Sequence, residues 1–121
     1  MLEKQADQAL ADILRFAEAG GADCFMAANL LKESIARTYA LSTLYELLEI
    51  EKLRDTDIAN CDVKLAEAVI FYRIVAPLVE RADRQGHRTI TTYLSGMDYA
   101  AVNAAQVEEI LKKSIPGRVL R

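Results

Sequence analysis

Proline and glycine are scarce in this sequence, two and five residues in 121. Tight turns draw on both, proline for its fixed φ and glycine for its access to positive φ, so a turn-rich β fold has little to be built from. Histidine occurs once, and cysteine only at Cys24 and Cys61, with no CxxC pair. A zinc site made wholly of Cys and His ligands needs four of them and is excluded. The two thiols are expected to be free and buried, with a disulfide between them left open. Long apolar runs are missing too. The longest, Ala68 to Val79, is interrupted by Arg73 and Pro77, well short of the roughly 18 residues that span a bilayer. Nothing after Met1-Leu2-Glu3-Lys4 reads as a signal peptide. A cytoplasmic protein without membrane contact is the expectation. Charge of one sign is also in short supply: the net charge is −3, with 10 Lys+Arg against 15 Asp+Glu over residues 1–85 and 5 against 3 over 86–121. So small a basic excess gives no ground for a nucleic-acid partner.

The sequence is rich in helix formers. Alanine, leucine and glutamate dominate, residues that lose little freedom in a helix. Hydrophobic residues make up 52% and charged residues 27%, a globular composition. A chain of 121 residues makes one ordinary domain with a real core. The fold class is therefore all-α: a single domain over 1–121, a four- to five-helix bundle with a central apolar helix at about 61–85.

Periodicity predicts the individual helices. Leu2, Ala6, Leu10, Ile13, Leu14 and Ala17 recur at three- and four-residue steps, giving a first helix over about 2–19 that Gly20-Gly21 closes. Asp23 is placed to cap a second helix, which meets no breaker until about Arg54. Its apolar face turns along its length. Cys24, Ala28, Leu31, Ile35 and Tyr39 form one stripe; Leu41, Leu44, Leu47 and Leu48 form another. Either the helix kinks between Thr38 and Thr43, or its halves serve different surfaces, one of them a partner's. Asn60 is positioned to cap a third helix, apolar almost all round from Ala68 to Val79, and such a helix is surrounded by others. Pro77 should kink it and Gly86 end it. His87 to Met97 reads as a short helix or an extended link, because Thr89 to Leu94 is rich in strand-forming side chains. Asp98 caps a last helix from Tyr99 to Ser114, stopped by Pro116-Gly117.

Three motifs carry chemistry. Glu46-Leu47-Leu48-Glu49 places two carboxylates on one helix face, and an antiparallel hairpin would set Glu67 across from them. The arrangement resembles the all-α nucleoside triphosphate pyrophosphatases of the MazG type, whose paired ExxE and ExxD motifs hold Mg²⁺ against a substrate's phosphates. The resemblance covers about Glu46 to Ala76 and implies Glu46, Glu49 and Glu67 as metal ligands. The second motif departs from the family pattern, reading Lys64-Leu65-Ala66-Glu67. Arg81 precedes the lone His87 by six residues, which resembles the Rx4-6H motif of helical HEPN RNases and implies an acid–base histidine beside a phosphate-binding arginine. Ile90 to Val102 resembles a helix-turn-helix, with Tyr99, Asn103 and Gln106 as candidate DNA readers. No Lys or Arg follows until Lys112, and Glu108 and Glu109 would repel phosphates.

Each catalytic motif is incomplete, so the reading favoured is a non-catalytic helical module that self-associates, as a dimer or larger assembly, with no cofactor. Its expected interface is Leu41, Leu44, Tyr45 and Leu48. The alternative is the Mg²⁺-dependent pyrophosphatase.

Overall fold

The computed structural model describes residues 8, 11–12, 14–15, 22–96 and 98–115. Four helices order the chain from residue 22 onward: α1 (Ala22–Leu53), α2 (Ile58–Ala82), α3 (Arg84–Leu94) and α4 (Ala104–Ser114), with a short 3-10 turn at Tyr99–Ala101 before α4. Among the described residues there is no strand, and the protein is all-α. No helix among them is long and apolar enough to cross a membrane. The first predicted helix and the stop at Pro116-Gly117 lie outside the described residues, apart from Gln8, Ala11, Asp12, Leu14 and Arg15, which are helical.

α1 and α2 form a long antiparallel hairpin whose register is fixed by two pairs. The rings of Tyr39 and Phe71 lie 5.9 Å apart, and Glu46 Oε2 lies 3.8 Å from Lys64 Nζ. The second pair is seven residues further along α1 and seven back along α2, so the helices stay in step over two turns. The turn between them is closed by Asp57, not by Asn60. Asp57 Oδ1 accepts from Asn60 N at 3.1 Å, so the cap lies three residues before the expected one. α1 is one continuous helix through Thr38–Thr43. Buried Thr43 donates its hydroxyl to the Tyr39 carbonyl at 2.8 Å, which satisfies the side chain without breaking the helix.

The register also explains Cys24. α2 ends eleven residues past Phe71, opposite about residue 28 of α1, so the first turns of α1 have no α2 residue facing them. Cys24 is exposed rather than buried, Cys61 is buried, and both are free. Cys61 Sγ reaches the Ile50 carbonyl, and 26 residues of helix separate Ile50 from Cys24, roughly 39 Å, which rules out a bond between the two thiols within one chain.

The core runs along one side of the hairpin. Ala36, Ala40, Leu47 and Ile50 of α1 meet Cys61, Ala68, Tyr72, Val75 and Val79 of α2, and α3 and α4 add Ile90, Val107, Ile110 and Leu111. α2 touches α1, α3 and α4 and is the central helix. It runs from Ile58 to Ala82 rather than to residue 85, with Pro77 inside it. Gly86 does not end it. Asp83 does, accepting from Gly86 N at 2.9 Å as the cap of α3. A Cβ on Gly86 would stand 2.5 Å from Asp83 Oδ2 and 2.6 Å from Ile110 Cγ2; glycine is there because α3 and α4 close over that point.

The segment after Gly86 is helix. Thr89, Thr91 and Thr92 each donate to the carbonyl four residues back, and Ile90 is fully buried. Gly96, at φ +74°, ends the run in the left-handed region. The expected last helix is two pieces. Asp98 caps only the 3-10 turn, and Asn103, accepting from Gln106 N at 3.1 Å, caps α4.

Candidate functional site

Three groups of side chains bear on function: a carboxyl pair between α1 and α2, a histidine at the α2–α3 corner, and the side of the hairpin away from α3 and α4.

Glu46 is 6% exposed. Its Oε2 is sealed from solvent and meets no hydrogen-bond donor; the Lys64 ammonium at 3.8 Å is beyond hydrogen-bond range. Its acidic neighbours are Glu67 and Glu49. Burial first, then the hydrogen bond and charge of Glu67, push the Glu46 carboxyl up to about 7; Lys64 opposes this and Glu49 adds to it. A proton on Glu46 turns an acceptor lacking a donor into a donor with Glu67 as acceptor, which is how two adjacent carboxyls coexist out of water. Glu46 and Glu67 thus converge as the hairpin geometry suggests. Glu49 does not join them: its Oε1 lies 3.4 Å from Lys52 Nζ. Among the described residues no three His, Cys, Asp or Glu side chains are grouped as a metal ion requires. The triad expected from Glu46, Glu49 and Glu67 is reduced to a pair with a lysine beside it.

His87 is held from two sides. Tyr72 Oη lies 2.7 Å from its Nδ1, and Glu80 Oε2 lies 3.6 Å from its Nε2. Burial, then the charges of Glu80 and Asp83, hold the Tyr72 phenol well above its usual range. The phenol keeps its proton, and the two side chains share one hydrogen bond. Arg81 lies in the last turn of α2 and His87 in the first turn of α3, with the break at Asp83 between them. Nδ1 of the ring is thus taken by Tyr72, and Glu80 stands near Nε2. The three candidate DNA readers are also engaged internally. Asn103 is the α4 cap, Tyr99 donates to Asp62, and Gln106 accepts from Tyr93. Arg54 locks this corner to the hairpin, donating to the carbonyls of Tyr99, Ala100 and Val102 at 3.0–3.3 Å. Glu51 does the same from the other side, accepting from Ala104 N at 3.0 Å.

The expected interface residues divide. Leu44 is 8% exposed and belongs to the core. Leu41 is half-buried, while Tyr45 and Leu48 are 54% and 42% exposed. A more extensive apolar face lies elsewhere. On α2, Val63, Ile70 and Ile74 are exposed, and with half-buried Glu67 they follow the four-three-four spacing of a helix seam. On α1, Leu31, Ile35, Thr38, Ser42, Tyr45 and Glu49 continue the same spacing over five steps, with Leu31, Ile35 and Tyr45 exposed. Tyr45 stands two positions from fully buried Leu47, and Ile70 two from buried Tyr72; two positions are about 200° of rotation. Both seams therefore face away from the core that α3 and α4 complete. The α2 seam is present in the sequence but hidden there, because Ala68 to Val79 reads as apolar all round.

The chain matches no protein-family model, no curated protein and no solved structure.

Proposed function

We propose that the chain is a helical assembly module that pairs with a second copy of itself through the side of the α1–α2 hairpin that α3 and α4 leave open. One observation carries this: two adjacent antiparallel helices each present a seam at heptad spacing, with Leu31, Ile35, Val63, Ile70 and Ile74 left in solvent. Monomeric proteins rarely expose large apolar residues in such an array. A hairpin with a seam on both helices is half of a four-helix bundle, and a second copy supplies the other half through a two-fold, self-complementary contact.

The charges along the face favour an antiparallel pairing. Glu49 and Glu67 lie in the half nearer the interhelical turn, and Arg81, seven residues past Ile74, in the other half. A two-fold axis across the helices sets the acidic half of one copy against the basic half of the next, whereas parallel pairing would oppose like charges. Leu31, Ile35, Val63, Ile70 and Ile74 take the place of Leu41, Leu44 and Leu48 as the proposed contact, with Tyr45 shared between the two descriptions.

Sedimentation velocity over a hundredfold concentration range tests this. The reading expects a concentration-dependent shift from monomer toward dimer that Ile74→Glu removes. A single monomer species at the highest concentration overturns it.

A further inference from the structure

α1 has a third face that neither the core nor the seams account for. Ala27 is 4% exposed, yet it lies outside the core cluster that α1 shares with α2, α3 and α4. Its chain neighbours Cys24, Phe25, Met26, Ala28 and Asn29 are all exposed. Ser34, Leu41 and Leu48 follow Ala27 at steps of seven residues, close to two helical turns, which keeps the four on one side of α1. Burial falls along this side: Ala27 is buried, Ser34 and Leu41 are half-buried, and Leu48 is exposed. α2 does not produce this pattern. Tyr39 and Glu46, which meet α2, stand two positions from Leu41 and Leu48, about 200° round the helix. α4 and the 3-10 turn do not produce it either, because they hold α1 at Glu51 and Arg54, the end where this face is most open.

We infer that the chain's own segment before α1, about Leu2 to Ala19, docks along this face as an antiparallel helix, turned back by Gly20-Gly21. Ala27 is buried within a single chain, so its cover comes from that chain, and the segment before Ala22 is the part that joins α1 at this end. The reach agrees. A helix over Leu2 to Ala19 rises roughly 27 Å, enough to run from Ala22 to about Leu41. Burial stops there, and Leu48, two turns further on, is left open. Among the described residues of the segment, Gln8, Ala11, Leu14 and Arg15 are exposed. Leu14 is thus at the edge of the apolar stripe, and the docking surface is Leu2, Ala6, Leu10, Ile13 and Ala17. Ala17 comes level with about Ala27, and Leu10 with about Ser34. Leu31 and Ile35 stay exposed beside the docked segment, so this contact does not depend on the pairing of two copies.

Two measurements on the full chain test the docking. The first is hydrogen exchange at the amides of residues 25–34. Leu10→Glu combined with Ile13→Glu is expected to speed exchange there on the order of tenfold or more, because the first turns of α1 lose their cover. Leu14→Glu, outside the docking surface, is expected to leave it unchanged. The second is a cross-link that needs no destabilising variant. Leu10→Cys with Ser34→Cys, in a Cys24→Ser background, is expected to close a disulfide within one chain on mild oxidation. A faster band on a non-reducing gel and peptide mapping of the linked residues would record it. Exchange at 25–34 that is equal in wild type and the double variant overturns the inference. So do thiols that stay free, or links found only between chains. Each result reads the same whether the chain is a monomer or a dimer, so the assembly reading stands or falls separately.

Discussion

Gly86 and Glu46 show how single side chains are constrained here. At Gly86 the limit is space: a methyl group would press on Asp83 and Ile110 at 2.5–2.6 Å, between a helix cap and the core. Overpacking of this kind costs about 1–3 kcal/mol. Gly86→Ala is therefore expected to lower the melting temperature by several degrees, as thermal unfolding by circular dichroism would record. At Glu46 the limit is charge. Its ordinary value is 4.5 and burial beside Glu67 raises it to about 7. Below pH 4.5 both folded and unfolded chains hold the proton. Between 4.5 and about 7 only the folded chain does, so the contribution of this group falls as pH rises, by up to about 1.4 kcal/mol per unit. It is lost above about 7. Glu46→Gln removes the titration. In urea unfolding followed at pH 5 through 8, the variant is expected to gain on wild type as pH rises across that interval; parallel curves would contradict the assignment.

Helix caps set the element boundaries. Asp57, Asp83, Asp98 and Asn103 each accept from a backbone amide two or three residues on, and each marks a place where the chain changes direction. Asn103→Ala removes the α4 cap, at about 1 kcal/mol. Hydrogen exchange should quicken first at the amides of Val107 and its neighbours, and unchanged exchange there would count against the role given to Asn103. The helices themselves were legible in the sequence, since α1 and α2 have periodic apolar residues and strong formers. The boundaries at Asp57 and Asp83 were not. Asn60 and Gly86 are the residues that usually mark such ends, and only packing shows that Asn60 lies within the first turn of α2 and Gly86 at a crossing. Thr89 to Leu94 reads either way, as short helix or extended link, because β-branched residues fit strands; in the helix their hydroxyls bond back to the carbonyls four residues earlier. At the acidic site, the nearness of Glu46 to Glu67 followed from the antiparallel hairpin. The direction of Glu49 toward Lys52 depends on side-chain placement, which spacing does not encode.

At the scale of the whole molecule, the hairpin has two unlike sides. One is closed by α3 and α4, which are locked on by Arg54, Glu51 and the Lys113–Asp83 pair at 3.2 Å. The other carries two seams and the carboxyl pair. The apolarity of α2 thus serves two partners: Tyr72, Val75 and Val79 face the chain's own core, and Ile70 and Ile74 face outward. Because Ile70 is 60% exposed, Ile70→Glu should leave the fold of each copy intact, with its intrinsic stability within about 0.5 kcal/mol, while placing a charge in the middle of the proposed contact. The most direct measurement is the particle mass by light scattering at pH 6.5 for wild type and Ile70→Glu at equal concentration. The account predicts about 27 kDa for wild type, twice the 13.4 kDa chain, and the single-chain mass for the variant. A wild-type mass of one chain, or a variant that still pairs, would contradict it.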